Sequence, residues 1–367
     1  NNETLYKQFQ EKIKSFYANL KDKLAIKFLG ITGVTRLKDV EIFSIGSDIN
    51  DITNDSAYSQ MIGFTRDEIK KYYIDYLTLA ASYENKCRVE EVTDTQIESM
   101  LDMMAQNYDG YCFDEFYKKK AFSTWSVNKF FQSVVSNKFV YFGEYWYDNG
   151  GLPSILVNYL KTHELNIFDY LEKNKSLKVT DDDFKNPISL TTINQNVLMC
   201  QTGYLTLRSS LNDSNIIALG IPNGEIYKAL NKLLAAKFFK GTIDVTNDAN
   251  ENILDVGYVE DIISLLNTMV NTVTYDAYPL NSESSVQNYV KAYLLGAKQN
   301  VSSEVHQAKG RADLMIETNK RRIVIEVKYA KDETETRKKL NEAVEQIKTR
   351  DYGNIVPRPI KIGRAVQ

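Results

Sequence analysis

Between Gly310 and Ala330 the chain reads GRADLMIETNKRRIVIEVKYA, with apolar positions recurring at every second residue on both sides of an Asn319-Lys320 pair that suits a two-residue turn. Folded there as an antiparallel hairpin, the stretch pairs Ala312 with Val327, Leu314 with Ile325 and Ile316 with Ile323, one uniformly apolar face. The other face carries Asp313, Met315, Val324, Glu326 and Lys328, and Asp313 falls directly opposite Glu326. Elsewhere the pattern predicts a helix to about residue 23, then an apolar run, LAIKFLGITGVTRL, that reads as a buried strand ending in a Thr/Gly turn. In GFTRDEI, Thr65 with Glu68 three residues later forms a capping box that starts a helix. Residues 95 to 172 are mostly helical in period and rich in Tyr, Phe and Trp, as in NYDGYCF and STWSVNKFF, which predicts core packing. Residues 191 to 239 read as helix, strand, turn, strand, helix, with Gly203 ending the first helix and LNDSN at the turn, an order that suits a winged-helix-like unit. A polar connector, KGTIDVTNDANEN, precedes a helix in YVEDIISLLNTMVNTV. A further helix leads into the strands of the hairpin, DETETRKKLNEAVEQIKTR follows as an amphipathic helix, and PIKIGRAV is a last strand.

Two carboxylates facing each other across a hairpin stand with their Cβ atoms roughly 5 Å apart and repel. A divalent cation resolves the conflict, because hard oxygen ligands at this spacing share Mg²⁺ or Mn²⁺. The Glu-x-Lys triplet carries little information, since it occurs at Glu68, Glu84 and Glu326. Only the third lies in a β-branched run with an Asp facing it. The competing reading is a charged edge that protects the sheet from aggregation.

Composition narrows the chemistry. The 367 residues, 43% hydrophobic and 11% aromatic, suffice for two or three domains. No stretch approaches eighteen consecutive apolar residues and the first residues lack an apolar signal centre, so no membrane span and a cytoplasmic location are expected. Three cysteines without a CxxC pair point to neither a disulfide framework nor a zinc site, and two histidines, His163 and His306, do not suggest a His-based metal centre. The net charge is only −3, but residues 281–367 hold 17 Lys/Arg against 11 Asp/Glu, a net of +6, which leaves −9 for the remainder. Basic character thus gathers around the carboxylate pair, where a polyanion needs counter-charge. The winged-helix-like segment has no dense Lys/Arg recognition helix.

The order helix, three strands, helix, strand, with Asp on the second strand and Glu-x-Lys on the third, resembles the core of the PD-(D/E)XK nuclease superfamily. The words TGVTRLKDVEIFS, GFTRDEI, YDGY, TGYLTL, GIPNGEIY, GRADLMIE and IEVKYA…AVEQIKTRDY resemble, in this order and over nearly the whole chain, bacterial proteins that join an AAA-ATPase-like domain to a C-terminal PD-(D/E)XK domain. The resemblance implies an α/β multidomain fold: residues 1–95 as the end of an AAA-like domain, 96–240 as a helical region with the winged-helix-like unit, 241–280 as connector and helix, and 281–367 as a restriction-endonuclease-like αβββαβ domain. No G-x-x-x-x-G-K-[ST] occurs, so ATP is expected to bind only where a phosphate-binding half is also present. The 26–36 segment would then match a nucleotide-sensing strand, with Thr32 and Thr35 as candidates.

The resemblance also implies roles. Asp313, Glu326 and the main-chain carbonyl of Val327 would hold Mg²⁺ or Mn²⁺, Lys328 would sit by the attacking water and the scissile phosphate, and Glu283 would be a helix-borne acid that helps bind metal. Gln346 matches a family position near the site, and Arg311 would contact the nucleic-acid backbone. The expected function is metal-dependent phosphodiester hydrolysis of nucleic acid, taken as DNA, under an AAA-like regulatory module. Two alternatives remain. One is a non-catalytic nucleic-acid- or partner-binding protein on a nuclease fold; the other is an NTPase whose active half lies outside this chain.

Overall fold

The computed structural model describes residues 50–148, 154–163, 169–171, 173–187, 192–209, 215–238, 253–271, 280–297, 299–307, 310–350 and 360–362, with scattered positions before residue 34. The expected N-terminal helix and the 26–36 strand with Thr35 lie largely outside these residues, and the 240–252 connector and most of the LNDSN turn lie wholly outside. Thr32 is described and exposed. The chain divides into two compact units, residues 1–165 with 173–227, and residues 166–172 with 228–367.

In the first unit, helices α1 (Arg66–Tyr72), α2 (Ile74–Asn85), α3 (Asp94–Tyr108) and α4 (Thr124–Asn137) build an apolar core. Its residues follow helical spacing: Ile97, Met100, Leu101, Met104 and Tyr108 line one face of α3, and Val127, Phe130, Phe131 and Val134 one face of α4. The expected capping box starts α1, with Thr65 Oγ1 accepting from the Glu68 N–H and Glu68 Oε2 accepting from the Thr65 N–H. The aromatic words divide: Tyr108, Phe130 and Phe131 are buried, whereas Phe113 and Trp125 are exposed. Helices α5 (Tyr145–Asp148) and α6 (Ser154–Thr162) follow, then β1 (Leu177–Thr180), α7 (Asp181–Lys185), α8 (Gln195–Gln201), β2 (Thr206–Leu207), β3 (Ile216–Gly220) and α9 (Gly224–Phe238), whose residues from Lys228 onward belong to the second unit. The β2–β3 pair is the expected one, but β1 lies against the other edge of β3 and makes a three-stranded sheet.

Three of the quoted words meet in this unit. Gly110 of YDGY, at φ +99°, lies so close to the Pro222 carbonyl of GIPNGEIY that a Cβ would clash with it. Asn223 Nδ2 donates to the Asp109 carbonyl (2.8 Å), and the Cys112 N–H donates to Thr206 Oγ1 of TGYLTL (2.7 Å). These contacts join the three words to one another, so they specify packing of the unit.

In the second unit α10 (Val259–Asn271) and α11 (Glu283–Gly296) precede β4 (Asn300–Gln307), β5 (Gly310–Glu317), β6 (Arg322–Ile325), α12 (Glu333–Thr349) and β7 (Ile360–Ile362). From α11 onward the order is the expected αβββαβ. The sheet runs β4-β5-β6-β7, antiparallel except for the parallel β6–β7 pair. A parallel neighbour requires a long crossover, which α12 supplies. Around its middle the β5–β6 hairpin is buried on both faces. Leu314, Ile316 and Ile323 are sealed on one, and on the other Met315 and Val324 join a cluster with Ile347 of α12. The face that carries Asp313 and Glu326 is therefore apolar in its middle, at Met315 and Val324, and polar at its ends, with the Glu317–Arg322 ion pair by the turn and the Asp313–Glu326 pair at the far end.

Candidate active site

Hairpin β5–β6 pairs Leu314 with Ile325, Met315 with Val324, Ile316 with Ile323 and Glu317 with Arg322, the register expected from the alternation. The turn closes around Asn319-Lys320 with the Thr318 N–H donating to the Arg321 carbonyl (2.9 Å). Arg321 in turn donates from Nε to the Leu254 carbonyl (2.6 Å) and from Nη2 to the Ile253 carbonyl (2.8 Å), which ties the turn to the segment before α10. One step beyond Leu314–Ile325 the register sets Asp313 against Glu326.

There the backbone ladder stops. The Val327 N–H donates to Asp313 Oδ2 (2.8 Å), so a side-chain carboxylate replaces the main-chain acceptor. The Asp313 carbonyl accepts from Gln287 Nε2 of α11 (2.7 Å). Each bond fixes a different part of Asp313, its side chain and its backbone, and both come from elements that the apolar core already holds in place.

Glu326 is 2% exposed. Its Oε1 accepts from Lys328 Nζ (3.0 Å), while Oε2 is buried with no hydrogen-bond partner among the described residues. A buried carboxylate oxygen without a partner is costly, and that cost is removed when a cation coordinates it. Burial and the nearby Asp313 charge push the Glu326 carboxyl above its ordinary range, although Lys328 and Arg350 oppose them. Burial alone would lower the Lys328 ammonium, but Glu326, Glu283 and Asp313 outweigh it and the group lies above the usual lysine value.

Glu283, the first residue of α11, is placed beside the lysine. Its Oε2 lies 3.7 Å from Lys328 Nζ and its Oε1 accepts from the Tyr329 N–H (3.4 Å). Among the described residues no three His, Cys, Asp or Glu side chains converge to hold a metal ion. Asp313 and Glu326 are the two acids that the hairpin sets opposite each other, a donor pair that would suit an ion completing its shell with water and substrate oxygens.

Of the expected residues, Asp313, Glu326, Lys328 and Glu283 come together with the Val327 main chain. Arg311 is exposed on β5, opposite His306 of β4 and two residues from Asp313, hence on the same side of the strand. Gln346 is half-buried on α12, one turn before Arg350. Sequence reasoning passed over Gln287, Tyr329 and Arg350. Gln287 was legible in principle, because it follows Glu283 by four residues on a helix and shares its face.

Residues 281–361 match the PD-(D/E)XK nuclease superfamily. Asp313, Glu326, Lys328 and Glu283 all lie within the matched residues, and the superfamily usually hydrolyses phosphodiester bonds. Over 289 residues the chain is 21% identical to a protein of Azotobacter chroococcum mcd 1 described as an uncharacterized protein in the vnfD 5' region. That alignment covers 77% of this chain and 49% of the relative, so the chain spans about half the relative's length. No solved structure matches the chain. No helix among the described residues is long and apolar enough to cross a membrane.

Proposed function

We propose that the nuclease-superfamily domain hydrolyses phosphodiester bonds of DNA with Mg²⁺ or Mn²⁺ bound at Asp313 and Glu326, under the control of an AAA-like module. The observation that carries this reading is the buried Glu326 carboxylate that the hairpin register sets against Asp313, with Oε2 lacking a hydrogen-bond partner among the described residues and a cation of the chain's own, Lys328, already bound to Oε1. When bound, the metal would supply Lewis acidity toward a phosphate oxygen and a more acidic water. Asp313 and Glu326 would hold it, helped by the Val327 carbonyl, and Gln287 and the Val327 N–H orient Asp313 for that task. Lys328 neutralises charge that builds on the phosphate in the transition state. Gln346 binds phosphate or water beside it, and Arg311 meets the nucleic-acid backbone, consistent with the net charge of +6 over residues 281–367.

The test is cleavage of linear, branched and single-stranded DNA, and of RNA, with Mg²⁺ or Mn²⁺, with and without ATP. Asp313→Asn, Glu326→Gln and Lys328→Ala should each abolish most of it. A wild-type chain that binds DNA yet cleaves none of these, in a preparation that binds Mn²⁺, would favour the non-catalytic platform.

A further inference from the structure

Lys328 stands between two carboxylates of different character. Glu326 has a fully buried side chain, the Lys328 side chain is 14% exposed, and Glu283 is 46% exposed. The ammonium is in hydrogen-bond contact with the buried partner at 3.0 Å and only near the outer one at 3.7 Å. It occupies the carboxylate oxygen next to the one that lacks a partner, so a divalent cation arriving at Glu326 meets a like charge within a few ångströms in a partly dry site. Lys328 must loosen its hold on Glu326, or the metal binds poorly. Among the described residues its ion pairs are with Glu326 and Glu283.

Glu283 is built to receive it. It is the first residue of α11, where a negative charge is favoured by the helix terminus, and its second oxygen is engaged by the Tyr329 N–H. Both of its oxygens therefore address the Lys328–Tyr329 segment, and no third acid converges with Asp313 and Glu326 among the described residues.

We propose that Glu283 acts on metal binding through Lys328, as the carboxylate that takes the ammonium when a divalent cation claims Glu326, and so is a positioning residue for the lysine and not a ligand of the metal. This rests on the metal-site reading above. It also places the lysine beside Glu283, at the outer rim of the site, in the loaded state.

The test is a double-mutant cycle read by Mn²⁺ binding alone, with no nucleic acid and no turnover. The whole chain is titrated by calorimetry, with free Mn²⁺ counted by electron paramagnetic resonance. Glu283→Gln keeps an oxygen for the Tyr329 N–H, and Lys328→Met keeps the aliphatic stem, so both variants preserve the packing; thermal unfolding checks this. With Lys328 present, Glu283→Gln should weaken Mn²⁺ binding about tenfold, and in the Lys328→Met background by less than about threefold, the signature of a coupled pair. An equal loss in both backgrounds would mean that Glu283 touches the metal itself and would overturn the inference. No loss in either background would overturn it too. A wild-type chain that takes up no Mn²⁺ overturns the site reading itself, an outcome distinct from either.

Discussion

Glu225 offers a sharp quantitative test of the first unit. It is 2% exposed near the start of α9, its Oε2 accepts from Ser126 Oγ (2.6 Å) and its Oε1 from the Trp146 N–H (2.8 Å). Burial outweighs both hydrogen bonds and pushes the carboxyl up to about 7, from an ordinary value of 4.5. Because the folded state holds its proton more tightly than the unfolded state, this group's contribution is fully present below about pH 4.5. It is lost as the pH rises toward 7 and constant above that. The difference of about 2.5 pK units corresponds to about 3 kcal/mol. Glu225→Gln removes the titration and keeps the shape, with its carbonyl for the Trp146 N–H and its amide donating to Ser126 Oγ. The two tryptophans of the chain, Trp125 and Trp146, both lie in this unit, so urea denaturation followed by tryptophan fluorescence reports on it selectively. Between pH 5 and pH 8 the wild type should lose about 2.5 kcal/mol relative to the variant, with the variant the more stable at pH 8. Parallel stability profiles for the two proteins would refute the assignment of a buried, proton-holding Glu225.

Asp313→Asn and Glu326→Gln should each weaken Mn²⁺ binding by more than about tenfold in calorimetry, whereas Lys328→Ala should leave it intact or tighter because a competing cation is gone. Any two of these changes together should cost far less cleavage than the product of their separate effects. Since the Glu326 carboxyl is held above its ordinary range, Mn²⁺ affinity should begin to fall at a pH above that range as acid is added, and titrations at stepped pH will show whether it does. Gly110→Ala, at φ +99° and against the Pro222 carbonyl, should destabilise the first unit by about 1–3 kcal/mol, read as a lower urea midpoint. Arg311→Ala should weaken DNA binding evenly across sequences and reduce its salt dependence by about one charge, measured by fluorescence anisotropy against salt.

Local periodicity carried a good deal of this protein. The alternation of GRADLMIE and RRIVIEV determined the register, since a slip of one residue would have put Leu314, Ile316, Ile323 and Ile325 on the polar side, and with the register came the opposition of Asp313 to Glu326. Thr65 with Glu68 determined the start of α1, and the spacing of Ile97, Met100, Leu101 and Met104 determined the buried face of α3. Tertiary structure decided what no window of a few residues contains. Strand β1 joins β3, Met315 and Val324 are covered by Ile347, and the words YDGY, TGYLTL and GIPNGEIY prove to be packing partners. The same holds inside the site. Sequence supplies two carboxylates and a lysine on one face. Only the meeting of α11 with the hairpin pins the Asp313 backbone on Gln287 and turns Glu283 toward Lys328. The physical reason is that a strand's side-chain period is a property of its own backbone, whereas the partner of a long side chain depends on which distant element the buried core brings within about 3 Å of it.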